Sequence, residues 1–420
     1  MNHRLLLVAF ICFSVNAQTP KDVRATAKDG NIAKIAGYLN STSLETRLET
    51  VKQIVAIGGK DSIDPLLRAT KDGDSEMQMR ATDGLVNFYL PGYVKQGPGS
   101  TLVRAGASIK AKFTDSNDQI IDPFVTVRPD VITALGQLAR GGAGMDSRAS
   151  ACRALGILRG NAALDDLVEA LHSKDSGVMY ESLGAIEKLR NPAAGPKIVF
   201  LLRDLDDRVQ LTAIETAGIL RATDGLPALR TILSSPRNSK VERAALFAIS
   251  NMPEPADRAL FERTLAAKDD RLRAAAAEGL GRLAEPTTIP ALTDAWQKED
   301  KMAPRLAAAF ALVLNGKKEI AADSPLGYLI NTLNSAAWKE TANAYLVEAA
   351  RQSTILAALY GPIADTDNPK DERIQLARVI AASGDAGSVP VLEKTSQDAD
   401  REVAQEGLRA LRSLKARLNL

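Results

Sequence analysis

Residues Asp206-Asp-Arg-Val-Gln-Leu-Thr-Ala-Ile-Glu-Thr-Ala-Gly-Ile-Leu220 and Asp269-Asp-Arg-Leu-Arg-Ala-Ala-Ala-Ala-Glu-Gly-Leu-Gly-Arg-Leu283 are two copies of one pattern. In the first, Val209, Ala213, Ala217 and Leu220 recur at spacings of four, four and three, which sets them on one face of a helix. The same register runs on either side. Val178, Val209, Val241 and Leu272 open successive units of roughly 31 residues, and Leu189, Leu220, Met252 and Leu283 recur late in the same helices. Pro196, Pro227 and Pro290 follow at one fixed distance from their openers. A fixed period of this size predicts a stacked α-helical solenoid rather than a compact enzyme fold.

The unit also carries its own punctuation. Three residues before each opener stands a good N-cap: Asp74, Asp175, Asp206, Asn238, Asp269 and Asp400. A side-chain oxygen there accepts from the free N–H groups of the first turn. The prolines Pro65, Pro196, Pro227, Pro290 and Pro390 precede apolar runs, and a first helical position suits proline because no hydrogen bond is lost. Each unit is thus expected to be two antiparallel helices of about three turns each. Neither buries its apolar face alone, so the units must stack.

With these stretches the chain resembles the HEAT-repeat family, in its short bacterial form named after the phycobilisome lyases. The resemblance covers most of residues 28–90 and 127–320 and resumes near 370–420. It implies an all-α solenoid, a right-handed superhelix of about ten two-helix repeats, that serves as a scaffold or binds proteins. Helix axes about 8–10 Å apart would make a curved rod on the order of 90 Å long, with second helices on the concave side.

Three stretches break the period. Residues 91–126 hold Pro91-Gly92 and Gly97-Pro98-Gly99-Ser100, then Ile109, Ala111 and Phe113 alternating with lysines, and then Ile120-Ile121 and Phe124 to Val127. This predicts a β-hairpin or loop inserted between repeats. Residues 321–368 stay helical but lose the period. Residues 400–418 supply a first helix without a second, a capping helix with Arg401, Glu406, Arg409 and Arg412 on its outer face. The organisation expected is therefore a leader over 1–17, repeats over 18–90, the insert over 91–126, repeats over 127–320, degenerate helices over 321–368, and a last repeat with its cap over 369–420.

Composition narrows the function. The chain has 420 residues, 53 basic against 51 acidic, and a formal net charge of +2, so no broad electrostatic footprint for nucleic acid exists. Aromatics are 4% of the chain, which suits thin helical layers filled by Ala and Leu. Arg4, the apolar run Leu5 to Val15, and the small residues before Gln18 read as a signal peptide cleaved after Ala17. That run is too short to span a bilayer, which needs about 20 residues, and no later run is long and apolar enough. The mature chain is then periplasmic or secreted and keeps one cysteine, Cys152, at a position that is apolar in other units.

Catalytic patterns are wanting. Only His3 and His172 are present, so no His/Cys zinc cluster, H-E-x-x-H or Ser-His-Asp arrangement can be assembled. His172 falls at a polar surface position. Gly279-Leu-Gly281-Arg-Leu-Ala284 matches a dinucleotide-binding string, but inside a repeat helix its glycines are expected to serve close packing. The acidic turns at 115–118 and 365–368 lack the Gly and Glu of a calcium loop. No catalytic residue, metal or cofactor is expected.

Binding is left. The insert, with Tyr93, Lys95, Arg104, Lys110, Lys112 and Phe113 following Tyr89, is expected to form a lip over one end of a groove. Arg68 and Arg230, each three residues after a proline, are expected on the second-helix surface. The function predicted is an exported, non-catalytic adaptor in the cell envelope, binding a protein or extended peptide. A lyase-like protein or enzyme subunit holding a small molecule is one alternative. A self-associating structural envelope protein is the other.

Overall fold

The computed structural model describes residues 18–96, 102–104 and 119–420. The expected leader 1–17 and the insert residues Lys110, Lys112 and Phe113 lie outside the described residues.

All six predicted caps act as caps. Asp74, Asp175, Asp206, Asn238, Asp269 and Asp400 have extended backbones, and their side chains accept from the N–H of Met77, Val178, Val209, Val241, Leu272 and Val403. They start the helices Ser75–Tyr89, Ser176–Leu189, Asp207–Ile219, Ser239–Asn251, Asp270–Leu283 and Arg401–Leu418. The second helices are shorter than predicted and begin as a 3₁₀ turn. Thr223–Gly225 leads into Leu226–Ser234, Pro286–Thr288 into Ile289–Lys298, and Ala386–Ser388 into Val389–Thr395. Pro227, Pro290 and Pro390 stand in the first α-helical turn, after that 3₁₀ entry.

The first helices form one file. In order they are Pro20–Ala27, Leu44–Ile57, Ser75–Tyr89, Met145–Ile157, Ser176–Leu189, Asp207–Ile219, Ser239–Asn251, Asp270–Leu283, Met302–Leu314, Lys339–Ala349, Lys370–Ser383 and Arg401–Leu418, each packed on the next. Small residues let neighbours approach closely. A Cβ on Gly156 would lie 2.8 Å from the Cα of Ala185, on Gly218 2.7 Å from that of Ala248, and on Gly281 2.5 Å from that of Ala311. The Gly279–Ala284 string is therefore a packing seam, with Gly279 facing the Phe261 ring. Met302–Leu314 is buried on all sides from Leu306 to Val313. Ala307, Ala308, Ala311 and Leu312 belong to the core before it, and Leu306, Ala309, Phe310 and Val313 to the core after it.

The file does not make an open rod. Arg221, just past Asp207–Ile219, donates to Glu348 of Lys339–Ala349 at 2.8 Å. Those helices are four steps apart, which in a straight stack would be about 40 Å. Arg409, in the last helix, grips both carboxylate oxygens of Asp122 at 2.7–3.1 Å. Asp122 is anchored beside Met145–Ile157, because the N–H of Ile121 donates to the Ile157 carbonyl at 3.0 Å. The file bends back on itself toward the C-terminal ends of its own helices. First helices, not second helices, therefore line the concave side. Closely packed first helices against short second helices give each unit that taper. Arg409, expected on an outer face, is instead the residue that closes the coil.

The period-breaking stretches also resolve. Ser75–Tyr89 packs directly on Met145–Ile157, and Pro129–Gly141 packs on Met145–Ile157 and Leu164–Ala170. Pro129–Gly141 is thus the second helix of the unit opened at Asp74, and the insert falls inside a repeat rather than between two. It begins with a hairpin of Val94–Gln96 and Leu102–Arg104, antiparallel with Val94 opposite Arg104. The stretch at 120–127, expected to alternate as a strand, is irregular and docks through its backbone. Residues 321–368 hold Pro325–Thr332, Lys339–Ala349, Ser353–Ala358 and Tyr360–Ala364, whose Lys339–Ala349 keeps its place in the file.

Candidate binding cleft

Along the concave side the residues facing inward are small. Ala244, Ala274, Ala275 and Ala303 leave a hollow of about 490 Å³ across the helices Ser176–Leu189 to Met302–Leu314. Leu211, Ile219 and Phe247 complete an apolar wall. Lys240 and Arg271 stand on the rim, each at the second position of its helix, and Arg243 lies beside them, paired with Asp269 at 2.5 Å. Glu215 projects from mid-helix. It keeps solvent access through the cleft mouth, yet the surrounding walls desolvate it, and burial alone pushes its carboxyl above the ordinary glutamate value. Among the described residues no side chain pairs with Glu215, Lys240 or Arg271.

The end of the cleft opposite the rim is closed by a buried polar cluster. Tyr345 Oη donates to Glu278 Oε1 at 2.7 Å. Arg282 donates to the other Glu278 oxygen at 2.9 Å, to both oxygens of Glu348 at 2.9 Å, and to the Ser250 carbonyl at 3.0 Å. Its guanidinium lies 5.3 Å from the Phe310 ring, which stacks on Tyr345 at 4.5 Å. Burial works to raise the Glu348 carboxyl, but bonded Arg282 holds it below its ordinary value. Burial, reinforced by Glu278, drives the Tyr345 phenol well above its ordinary value, so it stays a neutral donor. This cluster ties Lys339–Ala349 across the coil to Asp270–Leu283.

The residues proposed from sequence do not assemble there. Tyr93 is buried at 2% exposure, under the base of the insert. Tyr89 accepts from the Arg128 N–H at 3.1 Å and pins the insert's return. Arg68 donates to the Ala36 carbonyl at 3.2 Å. Arg230 is held by Asp257 at 2.9–3.0 Å and by Glu254 at 2.5 Å. These four are committed to contacts inside the chain, the two arginines to acceptors about a unit away: a carbonyl of the unit before for Arg68, acids of the unit after for Arg230. Lys95 pairs through its backbone with Val103, and Arg104 with Val94. The cleft residues Lys240 and Arg271 were not singled out from sequence among the chain's many charges. Their shared register, two residues after the cap, was the available signal, as was the carboxylate nine residues after the cap at Glu215 and Glu278.

Among the described residues the cysteine and the histidine are elsewhere. Cys152 is fully buried, and desolvation pushes its thiol up to about 12. His172 is exposed and stacks on Phe200 at 4.8 Å. Among the described residues no group of three or more His, Cys, Asp or Glu is placed to hold a metal, and no helix is long and apolar enough to cross a membrane.

The family model for HEAT repeats matches residues 132–218 and 226–313. Among solved structures, the chain is similar to YibA of Escherichia coli at 16% identity and TM-score 0.42, covering 71% of this chain and 97% of that one. It is similar to importin beta at 14% and 0.38, covering 96% and 60%. The complex of CpcE and CpcF of phycocyanin lyase from Nostoc sp. matches at 18% and 0.32, covering 74% and 93%. No curated protein matches the sequence. Capped two-helix units run in a single file along the chain, and across the central units, residues 132–218 and 226–313, they are HEAT repeats.

Proposed function

We propose that the chain is an exported, non-catalytic scaffold that holds a protein partner in the concave cleft. The observation that carries this reading is the hollow itself: an apolar wall bordered by Glu215, Lys240 and Arg271, three charges the chain leaves without partners. Other arginines between units are neutralised within the chain, Arg273 by Glu299 and Arg153 by Glu181 among them. A surface that keeps apolar area and open charges together is built for contact with another molecule. The non-catalytic reading rests on the buried thiol of Cys152 and on His172, stacked on an exposed ring away from the cleft. The export reading rests on the charged, apolar and small-residue order of residues 1–17.

The test is a photo-reactive phenylalanine analogue at Phe247, expressed in the native cell from the full gene. One discrete cross-linked partner in the envelope or external fraction is expected. Adducts from Lys197 on the second-helix side but none from Phe247 would move the binding face and overturn the cleft. Recovery of the full-length chain in the cytosolic fraction would overturn export.

A further inference from the structure

The charges of the cleft are ordered, and their order specifies what fits. Lys240 and Arg271 occupy the same register, two residues after their caps Asn238 and Asp269, so they form a cationic rim at the N-terminal ends of adjacent helices. Glu215 lies nine residues after its cap Asp206, further along the neighbouring helix. Seven positions of register correspond to about 10 Å of helix axis. One step across the file adds about 8–10 Å laterally. Between them lie Leu211, Ala244 and Phe247. Neither end is explained by folding. A cation in the first helical turn opposes the helix dipole, and an ionised carboxylate beside apolar walls loses hydration without a partner to replace it.

Resting on the reading of the cleft as a partner site, we propose that its occupant is an extended peptide segment carrying one basic and one acidic side chain separated by apolar residues. The basic side chain pairs with Glu215 and the acidic one with Lys240 or Arg271. An extended chain advances about 3.3 Å per residue, so the diagonal from Glu215 to Lys240 sets the two charges about four positions apart, and the longer one to Arg271, two steps across the file, about six. The apolar residues between them lie on Phe247 and the alanine floor. Charge order then sets direction: the acidic side chain lies at the rim and the basic one toward the closed end. A peptide of uniform charge meets one repulsive end.

An immobilised array of nine-residue peptides tests this with the full chain. Each peptide has an apolar core and carries one lysine and one glutamate at varied separation and order, with neutral and single-sign controls. Retention is expected to peak at separations of about four to six, in one order only, and to fall about tenfold on those peptides for Glu215→Gln. Glu215→Lys should transfer retention to peptides with glutamate at both positions, a gain that a misfolded variant would not show. Equal retention of neutral and charged peptides would overturn the inference while leaving the cleft as an apolar binding site. No retention of any peptide would also overturn it, and the Phe247 cross-link would still report whether a folded partner docks there.

Discussion

Glu215 is perturbed by desolvation alone, so it holds its proton more tightly in the folded chain than in the unfolded one. The penalty of its ionised form is absent below the unfolded glutamate value, about 4.3, and grows as pH rises through the higher folded value. Glu215→Gln should therefore raise the melting temperature at pH 7, on the order of 1 °C for so accessible a group, and leave it unchanged at pH 4. Thermal melts at both pH values check this. Asp206 has the opposite sign: the Val209 N–H holds its carboxyl below the ordinary value, so its contribution is present at neutral pH and lost as pH falls through the folded value. Arg282, at 8% side-chain exposure between Glu278 and Glu348, leaves Glu278 with no cation and Glu348 with only the half-exposed Arg221 if removed. Arg282→Ala should cost about 3 kcal/mol in urea unfolding, and Tyr345→Phe about 1 kcal/mol, since Glu278 then keeps Arg282.

The helices show what short-range chemistry determines. Asp206→Ala should cost about 1 kcal/mol, because the N–H groups of Arg208 and Val209 lose their acceptor. Gly281→Ala puts a methyl 2.5 Å from the Ala311 Cα and forces two helices apart, which should cost about 1–3 kcal/mol. Denaturant unfolding of both variants gives the comparison. Features set within a turn or two of one residue were legible in the sequence: the six caps, the apolar stripe, the core position of Cys152. The 3₁₀ entry to the second helices was not, because proline is compatible with either start and the preceding residues carry no distinguishing signal. Nor was the insert's place, since Pro129–Gly141 is recognisable as a second helix only from what it packs against. Arg68 and Arg230 looked free because their acceptors lie a unit away in the chain.

At the scale of the molecule, the closed coil is what no period could reveal, because it depends on pairs such as Arg409 and Asp122 separated by most of the chain. A linear array loses little beyond its neighbours when an end is removed. Here the last helix meets the fourth one of the file, so the two should respond together. Arg409→Ala breaks a half-exposed ion pair worth about 0–1 kcal/mol and should barely change the melting temperature. Combined with Glu348→Ala it removes both long-range ion pairs, while the Tyr345–Glu278 hydrogen bond stays in place. Small-angle scattering should then show the radius of gyration rise on the order of 3 Å, toward the straight stack set by helix spacing. An unchanged radius would mean that the curvature is held by the seams and that hydrogen bond alone.

Those seams have leverage. Gly218 and Ala248 meet at the thin edge of a wedge, and five further steps of the file separate that edge from the last helix. A shift of about 0.5 Å across a unit about 10 Å wide is a tilt of about 3°, which over about 50 Å of remaining stack displaces the far end by about 2.5 Å. That is comparable to the 2.7 Å length of the Arg409 contact with Asp122. A single methyl group at Gly218 would thus act less as a local packing defect than as a change in the radius of the arch, felt first where the last helix touches Asp122.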